Sequence, residues 1–168
     1  KIRIALIGYE NQTEADPDMP LRMIGYDGAE YRVQLTKENE GGTRYPVITL
    51  VLYFGYKKRW DQAKSLWECL DIPEEVKPYV NDYKLNLFEI AYLSKEEVRQ
   101  FKSDFRAVAD YFVQMRENGE YKPEEQELKH VEETLQLLSV MTADNRFEKV
   151  YKEENREGRV TSMSEALD

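Results

Sequence analysis

At 168 residues, 41% of them hydrophobic and 12% aromatic, the chain is long enough for one domain with a sizeable core and too apolar to remain disordered. A net charge of −9 argues against a general polyanion binder. The lone Cys69 excludes an internal disulfide and a multi-cysteine zinc site, which fits a reducing cytoplasm, and no apolar run is long enough to span a bilayer.

The charge is unevenly spread. Residues 1–64 hold 10 Lys/Arg against 9 Asp/Glu, whereas residues 65–168 hold 14 against 24. The acid excess therefore lies in the second part, and the first remains free to face a phosphate backbone.

The opening "KIRIALIGYENQ" alternates, with Ile2, Ile4, Leu6 and Gly8 on one face of a strand. Glu10 and Gln12 share that parity and continue the inward row at the strand's end. Asp16 or Asp18 is placed to cap a following helix, and Pro20 suits its first turn. That helix is expected to reach about Leu35, with Met19, Met23, Tyr26 and Val33 at helical spacing. "TKENEGGTR" reads as a loop broken by Gly41-Gly42.

"YPVITLVLYFG" is a continuous apolar run of strand length, expected to be central and covered on both faces. A basic, aromatic stretch, "YKKRWDQAKSLWECL", leads into a short helix, and "KLNLFEIAYL" suggests a further strand. Cys69 reads as core beside Leu66 and Leu70. Ser94 and Glu97 form a capping box, and Val98, Phe101, Phe105, Val108, Phe112 and Met115 extend it into one long helix ended by Asn118-Gly119. A second helix is expected from near Pro123, with Leu128, Val131, Leu135 and Leu138 inward. After a break at 142–145, a charged helix runs to about Gly158. The order of elements predicts an α/β fold, with a sheet core over residues 1–118 and an acidic helical extension over 119–168.

Chemistry is most concentrated at Glu10 and Gln12. Residues two apart on a strand face the same space, so this carboxylate and amide sit side by side. A carboxylate is a hard ligand suited to Mg²⁺, and the amide can orient a bound water without taking its proton. That pair would fit metal-assisted phosphodiester hydrolysis. Two residues make a weak pattern, and on their own a solvated strand end paired with a basic side chain is the better reading.

The surroundings add to this. "YENQTEADPDMPLRMIGYDGAEY", then "YPVITLVLYFG", "KRWDQAKSLWECLDIPEEVKPYVNDYKLNLFEIAYLS" and "FRAVADYFVQMRE" together resemble the recombination-promoting nuclease (Rpn) family, transposase-like members of the PD-(D/E)XK nuclease superfamily. The most specific piece is E-x-Q, an acidic loop, M-P-x-R and a tyrosine four residues after the arginine. The resemblance implies a restriction-endonuclease-like mixed sheet core flanked by helices and carrying an acidic metal site. Glu10 would be a metal ligand and catalytic, Gln12 would stand where many relatives have lysine, and the activity would be Mg²⁺-dependent DNA cleavage. It also implies a further catalytic aspartate on a strand upstream of E-x-Q. Because the sequence begins at Lys1, inside the later strand, it reads as a fragment lacking that part, with activity belonging to its parent.

Other residues support DNA as a partner less specifically. Arg22 and Tyr26 lie four apart on one helix face, where Arg22 could hold a phosphate, steer Glu10 or pair with Asp18. Tyr53, Phe54, Tyr56, Lys57, Lys58, Arg59 and Trp60 mix cations with aromatic faces, a composition found on nucleic-acid surfaces. Lys57, Lys58 and Arg59 are also the makings of an ordinary solvated turn, the simpler account. Helix capping explains Asp16 and Asp18 better than metal binding does, and His130 reads as a surface or interhelix residue.

Two functions compete. One is a metal-dependent DNA endonuclease of recombination or transposase-associated type; the other is an inactive nuclease-fold remnant that binds DNA or protein. A third, homo-oligomerisation through Phe101, Phe105 and Phe112, is weaker, because that stripe is short for a coiled coil and suits an internal core.

Overall fold

The computed structural model describes residues 4–36, 41–123, 127–142, 144–153 and 161–167. The chain is a mixed α/β protein with a small sheet, and it divides into two compact units. The first comprises Lys1–Tyr53 and Trp60–Phe88, and the second Phe54–Arg59 and Glu89–Asp168. Residue 119, the expected start of a helical extension, lies inside the second unit at the C-cap of a helix.

In the first unit, strand β1 (Leu6–Gln12) runs parallel to β2 (Val47–Tyr53), with Gly8 opposite Thr49 and Glu10 opposite Val51. Parallel neighbours need a crossover, which α1 (Met19–Val33) supplies. Strand β3 (Asn86–Glu89) lies on the other side of β2, so β2 is central as expected. The alternation in β1 holds from Leu6 onward: Leu6, Gly8, Glu10 and Gln12 are half-buried, while Ile7, Tyr9 and Asn11 are exposed. Ile4 precedes the strand and is exposed, and Ile2 lies outside the described residues.

The covering of β2 is uneven rather than double. Thr49, Val51 and Tyr53 are buried, whereas Ile48 is exposed and Leu50 and Leu52 are half-buried. The buried face meets Met19 and Met23 of α1 together with Trp60, with Tyr83, Leu85 and Leu87 around them. On α1 the inner face is Met19, Pro20, Met23 and Asp27. Tyr26 and Val33, expected on that face, are exposed. The stripe continues by a step of four to an acid, which two hydroxyl donors make tolerable there. Helix α2 (Leu66–Cys69) is the short helix expected, but its cysteine is only half-buried, donating from Sγ to the Pro17 carbonyl at 3.3 Å, and Leu70 is exposed.

The second unit contains α3 (Lys95–Gln100), α4 (Phe105–Asn118), α5 (Val131–Met141), α6 (Asn145–Glu153) and α7 (Met163–Leu167). The capping box is present: Glu97 N–H donates to Ser94 Oγ at 3.2 Å, and Ser94 N–H to Glu97 Oε2 at 2.7 Å. The single helix expected from Ser94 to Asn118 is two, because Phe101 turns extended and a new helix starts after Asp104. Helical spacing survives the break since the Phe101 and Phe105 rings meet edge-on at 5.0 Å. Buried Asp104 accepts from the N–H groups of Lys129 and His130 at 2.9 and 2.6 Å, tying the start of α4 to the start of α5.

Gly119 ends α4 at a φ of +72°, the left-handed cap for which glycine carries no Cβ penalty. Helix α5 begins at Val131 rather than near Pro123 and buries Leu135 and Leu138. His130 is exposed at its N-cap position. The charged helix is α6, and its expected end near Gly158 falls outside the described residues. Phe54 packs on Phe105 and Phe112; of the phenylalanine stripe Phe112 is buried, while Phe101 and Phe105 are half-buried. No helix among the described residues is long and apolar enough to cross a membrane.

Candidate functional site at the end of the first strand

The parity of β1 brings Glu10 and Gln12 to one side, and Gln12 Nε2 donates to Glu10 Oε1 at 2.8 Å. The chain then turns through the acidic loop. Asp16 Oδ1 accepts the Asp18 N–H at 2.9 Å, an Asx-type turn that hands the chain to α1. Asp18 occupies the N-cap position without a side-chain cap bond, and Pro20 sits in the first turn.

One turn into α1, Arg22 closes the site. Its Nη2 donates to Glu10 Oε1 at 2.6 Å and to the Tyr26 hydroxyl at 3.3 Å, and its Nη1 donates to Asp16 Oδ2 at 2.7 Å. Of the partners open to Arg22 from sequence, Glu10 is taken; the carboxylate one turn earlier, Asp18, is not, and Asp16 is added. Geometry explains this choice. The Asx turn aims the Asp16 carboxylate along the helix start, while the strand end presents Glu10 from the opposite element. Glu10 is 20% exposed and Arg22 37%, so the cluster is partly shielded but reachable from solvent.

The electrostatics follow from one guanidinium serving two carboxylates. The Arg22 guanidinium, and then the Asp18 N–H, hold the Asp16 carboxyl below its ordinary range. The Tyr26 hydroxyl first, and then Asp16, push Arg22 further above its already high pKa. Both bonds to Glu10 converge on Oε1, and among the described residues Oε2 accepts none.

The donor set bears on Mg²⁺. That ion takes hard oxygens and is commonly held by one or two carboxylates, with waters and substrate phosphate completing its shell. Glu10 and Asp16 supply two such groups and fit that requirement. Among the described residues, no group of three or more His, Cys, Asp or Glu is arranged to hold a metal by itself. The guanidinium already takes one oxygen of each carboxylate, so a cation there shares them with the charge of Arg22.

Beside Glu10 opens a hollow of about 520 Å³, lined by Gly8, Tyr9, Tyr26, Glu30 and Thr49 among others. Tyr9 and Tyr26 are 64% and 45% exposed and offer aromatic faces at this site. Gly8 permits a close approach, since a Cβ there would lie 3.1 Å from Thr49 Oγ1.

The basic cluster differs from its sequence reading. Tyr53, Phe54 and Trp60 are buried and so offer no stacking surface. Lys57, Lys58 and Arg59 are exposed. Arg59 pairs with Glu89 at 2.8 Å and lies 4.3 Å from the Tyr92 ring centre. Lys57, Lys58 and Arg59 belong to the second unit and Glu10 to the first.

Two acids have roles that spacing did not reveal. Asp16 is a second carboxylate of the site as well as a turn former. Asp27, 4% exposed, accepts from Thr49 Oγ1 at 2.5 Å and from the Tyr83 hydroxyl. Burial and this hydrogen bond push the Tyr83 hydroxyl well above its ordinary pKa. The one sequence signal for Asp27 is its position four residues after Met23 on the inner row.

A family described as "Putative transposase, YhgA-like" matches residues 5–144. The chain belongs to this family. The match spans β1 through α5 and so includes Glu10, Gln12, Asp16, Arg22 and Asp27. Neither a curated protein nor a solved structure matches the chain. Membership associates the chain with transposases, in agreement with the resemblance seen in its motifs.

Proposed function

We propose that this YhgA-like transposase family member is part of a metal-dependent DNA endonuclease of recombination or transposase-associated type. Its sheet would be the inner part of a restriction-endonuclease-like core, and its substrate the phosphodiester backbone of DNA. The observation that carries this reading is the convergence of Glu10, Gln12, Asp16 and Arg22 at the end of β1, on residues the family match includes.

The residues divide the work. Glu10, with Asp16 beside it, would hold Mg²⁺ through carboxylate oxygens. When bound, the ion would lower the pKa of a water and stabilise charge on the phosphate. Gln12 keeps the Glu10 carboxylate oriented through its amide and, lacking a basic atom, leaves proton removal to another group. Arg22 presents a planar fork matched to phosphate oxygens, and Tyr26 holds that fork in place. Lys57, Lys58 and Arg59 are further candidate contacts for the backbone.

A second reading rests on a specific feature: Arg22 and Gln12 already satisfy Glu10 Oε1, as they would in an inactive nuclease-fold remnant that binds DNA or protein. Nicking of supercoiled plasmid in Mg²⁺ separates the two readings, using the longest natural gene product that carries this sequence. Nicking that Glu10→Gln abolishes, with DNA binding retained, supports the enzyme. Nicking that continues unchanged in the variant removes Glu10 from the mechanism, and absence of nicking by the native protein favours the binding module.

A further inference from the structure

We propose that a cavity between α3 and α4 in the second unit is a phosphate-binding pocket. It has a volume of about 260 Å³, and its lining includes Lys95, Arg99, Arg106 and Lys122 against one carboxylate, Asp110. This concentration of cations stands in the part of the chain that carries the acid excess, so it does not reflect composition.

The pocket has a built frame. Lys95 and Arg99 are four apart on α3, and Arg106 and Asp110 four apart on α4, so each helix presents one face to the space. Val98 and Val113, both buried, give it an apolar floor that keeps water from one side. Gln114 Nε2 donates to Asp110 Oδ2 at 2.7 Å and to the Lys122 carbonyl at 3.0 Å, while its Oε1 accepts the Lys122 N–H at 3.0 Å. This double clasp pins the chain after Gly119 against α4 and fixes where Lys122 starts.

Internal neutralisation is partial. Lys122 pairs with Glu120 at 2.8 Å, and Arg106 and Asp110 are both engaged within the protein. Lys95 and Arg99 form no ion pair among the described residues. Glu97, one of the two acids on α3, is committed to the Ser94 cap. A cation-rich concavity with two arginines selects an anion presenting several oxygens, and a phosphate group matches the guanidinium fork. The volume is below that of most small-molecule sites, so it suits one phosphate and its ester arm rather than a whole dinucleotide.

Such a phosphate could belong to a nucleic-acid backbone or to a free phosphate ester, and two probes distinguish them. Amide resonances of α3 and α4 are followed while inorganic phosphate, and separately a fluorescein-labelled single-stranded DNA, is titrated into the full chain. Phosphate is expected to shift them, and Lys95→Glu/Arg99→Glu to weaken that binding at least tenfold. The matched reversal Lys129→Glu/Lys149→Glu, on exposed residues elsewhere in the same unit, is expected to change it less than about twofold. DNA that displaces phosphate identifies the backbone as source, with the salt slope of DNA binding falling by about 1.4 in the double variant. Phosphate binding without DNA binding identifies a free ester. No shift with either probe, or equal weakening by the control pair, overturns the proposal. The phosphate-induced shifts on α3 and α4 are read without any nicking assay, so the pocket stands or falls separately from the strand-end site.

Discussion

Arg22 joins Glu10 to Asp16, with 2.6 Å to the first carboxylate and 2.7 Å to the second, so one side chain from α1 neutralises acids from β1 and from the loop between. The partners are partly exposed, so the pairing itself adds modest stability. Its larger consequence is for anything else that uses the same oxygens.

A divalent cation on Glu10 and Asp16 must share them with the guanidinium, whose positive charge opposes it. Arg22→Gln should therefore bind Mn²⁺, a spectroscopic stand-in for Mg²⁺, about tenfold more tightly, equivalent to about 1.4 kcal/mol. If Arg22 holds phosphate as proposed, the same substitution should also weaken DNA binding. Opposite signs in the two assays separate these roles. Equal Mn²⁺ affinity in native and variant protein would show that the two carboxylates are not the cation's ligands.

The depressed pKa of Asp16 fixes the sign of a pH effect. Its folded value lies below the ordinary 3.8, chiefly through Arg22. The unfolded chain thus binds more protons in that interval, and stability rises with pH across it. The contribution is complete above the ordinary value and is lost as pH falls through the folded one. Asp16→Asn should be less stable than the native protein by about 1 kcal/mol at pH 7, with the difference shrinking below about pH 4. Urea unfolding at pH 7 and pH 3 measures it. Asn keeps the oxygen that accepts the Asp18 N–H, so a difference of the same size at both would show that the loss does not come from the carboxylate's charge.

Short-range rules read well here. Strand parity placed Glu10 and Gln12 together, the Ser94–Glu97 pair capped α3, and Gly119 closed α4, because each depends on residues within one turn or one strand. What spacing could not supply was the identity of partners across elements. The sequence offered Arg22 Glu10 and Asp18, and only the path of the loop decided that Asp16 would be used. Tyr53, Phe54 and Trp60 looked like a stacking surface beside three cations, yet their large apolar area is buried. The break at Phe101 was hidden by rings that keep helical spacing across it. Asp27 was invisible because an acid on an inner row is disfavoured until its donors, Thr49 and Tyr83, come from distant segments.

Those donors make Asp27 sensitive to substitution. Its carboxylate receives the Thr49 hydroxyl from β2 and the Tyr83 hydroxyl from the segment before β3, fixing α1 against both. Asp27→Ala would leave the buried Thr49 hydroxyl and the half-buried Tyr83 hydroxyl without their acceptor, costing about 1–3 kcal/mol. Asp27→Asn retains one acceptor oxygen of similar shape and should cost about 1 kcal/mol. Thr49 also sits against Gly8, where a Cβ would come within 3.1 Å of its hydroxyl, so Gly8→Ala must push Thr49 away from Asp27 or move the strand. The two sites should therefore couple. In a double-mutant cycle of Gly8→Ala with Asp27→Asn, the paired loss should differ from the sum of the single losses by about 0.5–1 kcal/mol, read from urea midpoints at constant slope. Strict additivity would mean that β1 and α1 are held independently, and that Arg22 reaches Glu10 without help from the buried acid five residues further along its helix.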